Sequence, residues 1–99
     1  MKTKHMKYTV DFTNKFKKQR KKMKKQGKEL NKLHEVIEKL ANGIELEEKF
    51  KDHNLTNYKK HKNARECHIE PDWLLIYEIR DKDLILLLLE TGSHSELFD

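Results

Sequence analysis

The spacing of apolar residues changes period partway along the chain. Phe12, Phe16, Gln19 and Met23 recur at helical intervals, and Leu30, Leu33, Val36, Ile37 and Leu40 do so more regularly. Beyond residue 64 the pattern turns to alternation. Trp73, Leu75, Tyr77 and Ile79 fall on one side of a run, and Leu74, Ile76, Glu78 and Arg80 on the other. A helical period does not suit a strand, nor an alternating one a helix, so helices come first and strands after. That order predicts an α+β chain with two N-terminal helices packed on a small, twisted, antiparallel sheet. Its 99 residues leave room for a single domain, 1–99.

The expected elements follow from the breaks. Residues 1–7 read as a frayed start, and Tyr8, Val10 and Phe12 allow a short first strand. A very basic helix is expected from Asp11 to Gln26, stopped at Gly27. A second is expected from Lys28 to Ala41, stopped at Asn42-Gly43 and antiparallel to the first. Residues 44–63 have no clean period and read as a long loop anchored by Phe50, Leu55 and Tyr58. Arg65–Glu70 reads as a short strand. Trp73–Arg80 is apolar on both sides and reads as a central strand. Asp81-Lys82 is a turn, and Asp83–Glu90 is a further strand. Thr91-Gly92-Ser93 breaks that strand before a strand stub or helical turn at His94–Phe98. Trp73 is expected in the core.

Charge is distributed unevenly. Residues 1–28 carry eleven lysines and Arg20 against one acid, Asp11, a net of +11. Residues 29–99 carry ten bases against sixteen acids, a net of −6. A local field of that size attracts polyanions, of which nucleic acid is the commonest. A solvated helix face is the plainer reading. The single cysteine, Cys67, excludes an internal disulfide and fits a reducing compartment. No apolar signal segment stands at the N-terminus. The longest apolar run, Leu84–Leu89, is too short to span a bilayer. A soluble, cytoplasmic protein without a membrane partner is expected.

Among six histidines, His5 and His34 have no partner nearby in sequence, and His61, in YKKHK, is a candidate phosphate contact. His53, His68 and His94 each lie beside a break in the apolar pattern, where side chains are presented rather than packed. Asp72 follows His68 by four residues. If the two final strands flank Arg65–Glu70, their ends converge on one cleft. Imidazoles with a carboxylate suit metal-free RNA cleavage, in which a base takes the 2′-hydroxyl proton, an acid protonates the 5′-oxygen and cations hold the phosphate charge. A zinc site is the rival, but no HxxxH or CxxC pair exists. A histidine-bearing binding surface without catalysis also fits.

Three blocks, KDHNL at 51–55, ARECHIEPDWLLIY at 64–77 and TGSHSELF at 91–98, resemble the YafQ branch of the RelE toxin superfamily. The resemblance implies a type II toxin whose relatives are ribosome-dependent endoribonucleases cutting mRNA in the decoding site. It implies a DinJ- or RelB-like antitoxin, ribosomal RNA and mRNA as partners, operator DNA only through the antitoxin, and no cofactor. By matching motif, His53, His68, Asp72 and His94 are the expected catalytic set, with Asp72 as base and His94 as acid, and no metal. His53 and His68 would orient RNA and balance charge, and Phe98 would stack on a base. Glu90 stands where many relatives of that family carry a basic residue, so phosphate contacts are expected from Lys59, Lys60 or Arg65. An inactive relative that only binds an antitoxin or nucleic acid is the alternative.

Overall fold

The computed structural model describes residues 6–98. His5 and most of the expected frayed start lie outside the described residues. The order is β1 (Thr9–Phe12), α1 (Asn14–Lys25), α2 (Leu30–Ala41), a 3₁₀ turn at Glu48–Phe50, β2 (His53–Asn54), β3 (Arg65–Glu70), β4 (Trp73–Arg80), β5 (Ile85–Gly92) and α3 (His94–Phe98). One five-stranded sheet has the order β1-β5-β4-β3-β2. The α+β expectation holds, with one parallel pair, β1 on β5, among antiparallel ones.

Local chemistry explains the boundaries. Residues 9–12 enter the sheet rather than opening the helix. Thr13 then caps α1, its Oγ1 accepting the Phe16 N–H at 3.0 Å while its own hydroxyl donates to the Leu89 carbonyl at 2.8 Å. The helix therefore starts three residues later than Asp11. Both long helices end in the same way. Gly27 (φ +85°) and Gly43 (φ +74°) adopt the left-handed conformation. Lys28 N–H reaches back to the Met23 carbonyl, and Ile44 N–H to that of Lys39, closing a Schellman turn each time. Lys28 and Glu29 belong to the joint, so α2 begins at Leu30. Across it the Arg20 guanidinium bonds His34 Nε2, with Nη2 at 2.9 Å, which gives that histidine a structural partner. Phe16 and Met23 of α1 share a buried core with Leu33, Val36, Leu40 and Ala41 of α2, against Cys67, Trp73, Leu75, Tyr77, Leu86 and Leu88 of the sheet.

Two expectations about the sheet are corrected. The last long strand runs Ile85–Gly92, not Asp83–Glu90. Residues 81–84 form the turn, with Leu84 at φ 54°, and the break falls at Ser93. Nor do the two final strands flank β3. Strand β3 lies between β4 and β2, while β5 lies on the far side of β4.

Strand β5 also carries an irregularity. Tyr77 pairs with Leu88 and Ile76 with Glu90, leaving Leu89 without a partner. One extra residue inverts the alternation that follows it. Glu90 turns to the face away from the helices, and Thr91 turns into the helix-side core. There the Trp73 indole N–H donates to Thr91 Oγ1 at 3.0 Å, and the hydroxyl donates to the Leu74 carbonyl at 2.8 Å. Trp73 and Thr91 are both fully buried, as expected for Trp73. On the opposite face Ala64, Ile76 and Leu89 form a smaller cluster, covered by Leu55, Tyr58 and Leu97. The segment expected as a plain loop thus forms β2 and packs on that second face.

Replacing Thr91 by Val keeps the shape but orphans the buried indole N–H. Thr91→Val is expected to cost about 1–3 kcal/mol in urea unfolding, with the native near-UV spectrum of Trp73 retained.

Candidate active site

Alternation along β3 divides its side chains between the two faces. Cys67 and Ile69 join the helix-side core, while Glu66 and His68 point to the other face. On that face a depression of about 350 Å³ is lined by His53, Glu66, His94, Phe98 and Tyr58, among others. Of the expected set, His53, His94 and Phe98 therefore meet directly. His68 instead lines a separate depression, with Ile69, Pro71, Phe50 and Val36 and Lys39 of α2; neither it nor Asp72 lines this one, and each is linked to it through one lining residue.

Glu66 makes the first tie. Its side chain is buried, and Oε1 lies 3.1 Å from His53 Nε2 and 3.9 Å from His68 Nε2. The other ring nitrogens face carbonyls: His53 Nδ1 lies 2.7 Å from the Lys51 oxygen and His68 Nδ1 lies 3.2 Å from the Pro71 oxygen. His53 Nε2 is thus within hydrogen-bond reach of Glu66, whereas His68 Nε2, at 3.9 Å, is not.

His94 differs. Its ring lies against Phe98, with centroids 5.0 Å apart, and among the described residues it makes no hydrogen bond. Its backbone N–H donates to Asp72 Oδ1 at 3.1 Å, the second tie. Helix α3 is fixed by a reciprocal cap: Ser93 Oγ accepts the Glu96 N–H at 3.1 Å, and Glu96 Oε1 accepts the Ser93 N–H at 2.8 Å. Gly92 makes room for it, since a Cβ there would stand 3.0 Å from Glu96 Oε1 and 3.3 Å from Leu97 Cδ2.

The segment holding His53 is pinned from behind. Asp52 accepts from the Tyr77 hydroxyl at 2.5 Å and pairs with Arg65 Nη2 at 3.3 Å, and Arg65 also bonds Asn54. Burial followed by the Asp52 bond pushes the Tyr77 phenol up, so it stays a donor. Arg65, expected at phosphate, stands on the opposite face from Glu66. Lys60 is half-exposed and paired with Glu90 at 3.3 Å, and Lys59 is exposed. His61 lies 3.4 Å from Glu78. Sequence reasoning missed Glu66 and Asp52, which look like ordinary charged residues until the fold buries Glu66 and sets Asp52 against Tyr77 and Arg65. It also missed the α3 cap, although S-x-x-E at 93–96 spells it out.

Two helices on a small mixed sheet, with a histidine-rich cleft on the face away from the helices, define a RelE-like toxin domain. Within that class the chain belongs to the YafQ family, bacterial toxins of type II toxin–antitoxin systems, whose model matches residues 8–99. It is similar to the mRNA interferase toxin YafQ of Escherichia coli K12, with 41% identity over 59 residues. That alignment spans 60% of this chain and 60% of the relative. Over nearly the whole fold it is similar to a metal-bound toxin from Helicobacter pylori, with TM-score 0.84 and 42% identity over 92% of this chain and 99% of that one. The E. coli DinJ–YafQ complex gives TM-score 0.84 and 33% identity over 94% and 99%. Among the described residues of this chain, no group of three or more His, Cys, Asp or Glu is gathered to hold a metal ion. Among the described residues no helix is long and apolar enough to cross a membrane.

The α3 cap has a pH signature. The Ser93 N–H first, then Lys22 and Gln26, hold the Glu96 carboxyl down at about 2 from its ordinary 4.5. A depressed folded value stabilises above the unfolded one and is lost as pH falls through the folded one. Amide-exchange protection of α3 is therefore expected to be full above pH 4.5 and to fade towards pH 2, and Glu96→Gln should flatten that dependence.

Proposed function

We propose that this chain is a ribosome-dependent endoribonuclease that cuts mRNA in the decoding site without a metal ion, and that a DinJ- or RelB-like antitoxin holds it inactive. The observation that supports this best is the arrangement of three imidazoles: His53 and His68 face Glu66, while the His94 ring makes no hydrogen bond among the described residues and its backbone holds Asp72. The E. coli relatives are named mRNA interferases, and a similar fold is held by DinJ.

The chemistry follows from the placement. The ribose 2′-hydroxyl attacks the adjacent phosphorus, and Asp72, with Oδ1 fixed on the His94 backbone, takes its proton on Oδ2. Protonated His94 gives a proton to the departing 5′-oxygen as the P–O5′ bond breaks, leaving a 2′,3′-cyclic phosphate. His53 and His68 face the charge that builds on the phosphoryl oxygens, where preorganised charge is worth the most. Phe98 stacks on a base, and Lys59 and Lys60 meet neighbouring phosphates. Arg65 acts from behind, by fixing Asp52 and hence His53.

His94→Ala and Asp72→Ala should each abolish growth arrest on induction, with far-UV circular dichroism unchanged. Wild-type cleavage should survive a chelator. Loss of activity in chelator and its return with added metal would sink the metal-free scheme.

The cleft sits on a polar segment, and a misplacement of about 1 Å costs ~10²-fold. An mRNA already splayed in the decoding site offers its 2′-hydroxyl in line, and the exposed lysines of α1 dock on ribosomal RNA. The same mRNA should therefore be cut at least ~10²-fold more slowly when naked. Reversing Lys18, Lys21, Lys24 and Lys25 to Glu should slow cleavage on ribosomes but not of naked RNA. Lys22 is spared because it pairs with Glu96 at 3.1 Å. Equal rates on ribosomes and on naked mRNA would make the protein a general ribonuclease.

A further inference from the structure

Glu90 is the one carboxylate on the cleft face of β5, and it is almost wholly buried, at 2% exposure. A buried carboxylate without partners is strongly disfavoured, and four groups converge on this one. Oε1 accepts from Gln19 Nε2 at 3.2 Å and lies 3.4 Å from Lys15 Nζ. Oε2 accepts from the Tyr58 hydroxyl and from Lys60 Nζ at 3.3 Å. Burial alone would raise its pKa, but the bonds from Tyr58, Gln19 and Lys60 and the charge of Lys15 outweigh it and hold it below the ordinary carboxylate range. Burial and the Glu90 bond push the Tyr58 phenol up, so Tyr58 remains a donor.

This cluster joins three parts of the chain. Lys15 and Gln19 come from α1, Tyr58 and Lys60 from the segment over the second sheet face, and Glu90 from β5. Tyr58 also lines the cleft beside His53, His94 and Phe98, so the cluster adjoins the cleft through Tyr58. Two ammonium groups meet one carboxylate, so a net charge of +1 remains. Both lysine side chains are 55% exposed, and each ammonium has three donors, of which the carboxylate occupies only part. The lysines are held from below and open above.

We propose that Lys15 and Lys60, drawn together by the buried Glu90 carboxylate, form a subsite beside the cleft that takes an RNA phosphate outside the scissile linkage, with Glu90 as its positioning residue. The inference rests on the RNA-cleavage reading and adds to it a place for the flanking strand. Glu90 on this account is not a defect in a basic surface. It fixes two flexible side chains in one place, as a binding site for a single phosphate requires.

The test is binding of an oligoribonucleotide made uncleavable by 2′-O-methyl groups, measured across a salt series with the full chain, alongside cleavage kinetics. Each phosphate contact to a single strand contributes ~0.7 to the slope of log K against log salt. Lys15→Ala and Lys60→Ala should each lower that slope by ~0.7 or less. The double variant should lose no more than one contact's worth, because the pair shares one phosphate. Lys60→Arg should retain the slope. Glu90→Gln, close in shape, should lower the slope as the lysine variants do and raise KM several-fold with kcat within about twofold, while its thermal unfolding stays cooperative. An unchanged slope in the lysine variants would overturn the subsite. Tighter binding by Glu90→Gln would show that Glu90 only repels RNA and would overturn its positioning role. If the wild-type chain does not bind the oligoribonucleotide, the subsite falls, while the RNA-cleavage reading stands or falls on cleavage on ribosomes.

Discussion

Leu89 has no partner on β4, and the arrangement of the C-terminal residues depends on that single extra residue. Without it, alternation would place Glu90 among Trp73, Leu75 and Leu88, where an unpaired carboxylate is not tolerated. It would also take Thr91 away from the indole it accepts from. With it, Thr91 completes the helix-side core. Glu90 reaches Tyr58, Lys60, Lys15 and Gln19, and Gly92 leads the chain into α3 beside Asp72. Packing on one face and chemistry on the other are thus set by the same bulge.

The cleft is organised by carboxylates that are themselves unreactive. Glu66 faces His53 and His68, Asp52 fixes the segment that carries His53, Glu90 gathers two lysines, and Glu96 caps the helix that carries His94. Each acid is placed against donors, so each converts a flexible cation or amide into a fixed one. Fixed charge near a phosphoryl group needs no reorganisation during reaction. The proposed site for a polyanion is compatible with the net charge of −6 over residues 29–99, because these acids are paired with the groups they hold.

Much of this was legible in the sequence, and the limits have physical causes. The period change at residue 64 located β3 and β4, and the regular apolar stripe located α2. Motif resemblance located His53, His68, Asp72, His94 and Phe98, of which three line one depression. The end of β5 was not legible, because a bulge leaves no mark in alternation until the partner strand is known. Strand order was not legible either, since the β1–β5 pairing joins residues more than seventy apart. Glu66 read as an ordinary polar residue, and its burial depends on β2 and the segment after it folding over the sheet. The helix at His94–Phe98, by contrast, had its cap written in Ser93 and Glu96.

The central claim is that an unengaged His94 and an anchored Asp72 move protons while His53 and His68 face the phosphate charge. End-group analysis of mRNA cut by the wild-type chain on ribosomes tests it most directly. Attack by the 2′-hydroxyl leaves upstream fragments with a 2′,3′-cyclic phosphate or its 3′-phosphate product, and downstream fragments with a 5′-hydroxyl; that is the result predicted. Upstream 3′-hydroxyl ends with downstream 5′-phosphates would mean that water, not the ribose, is the nucleophile, and would contradict the account.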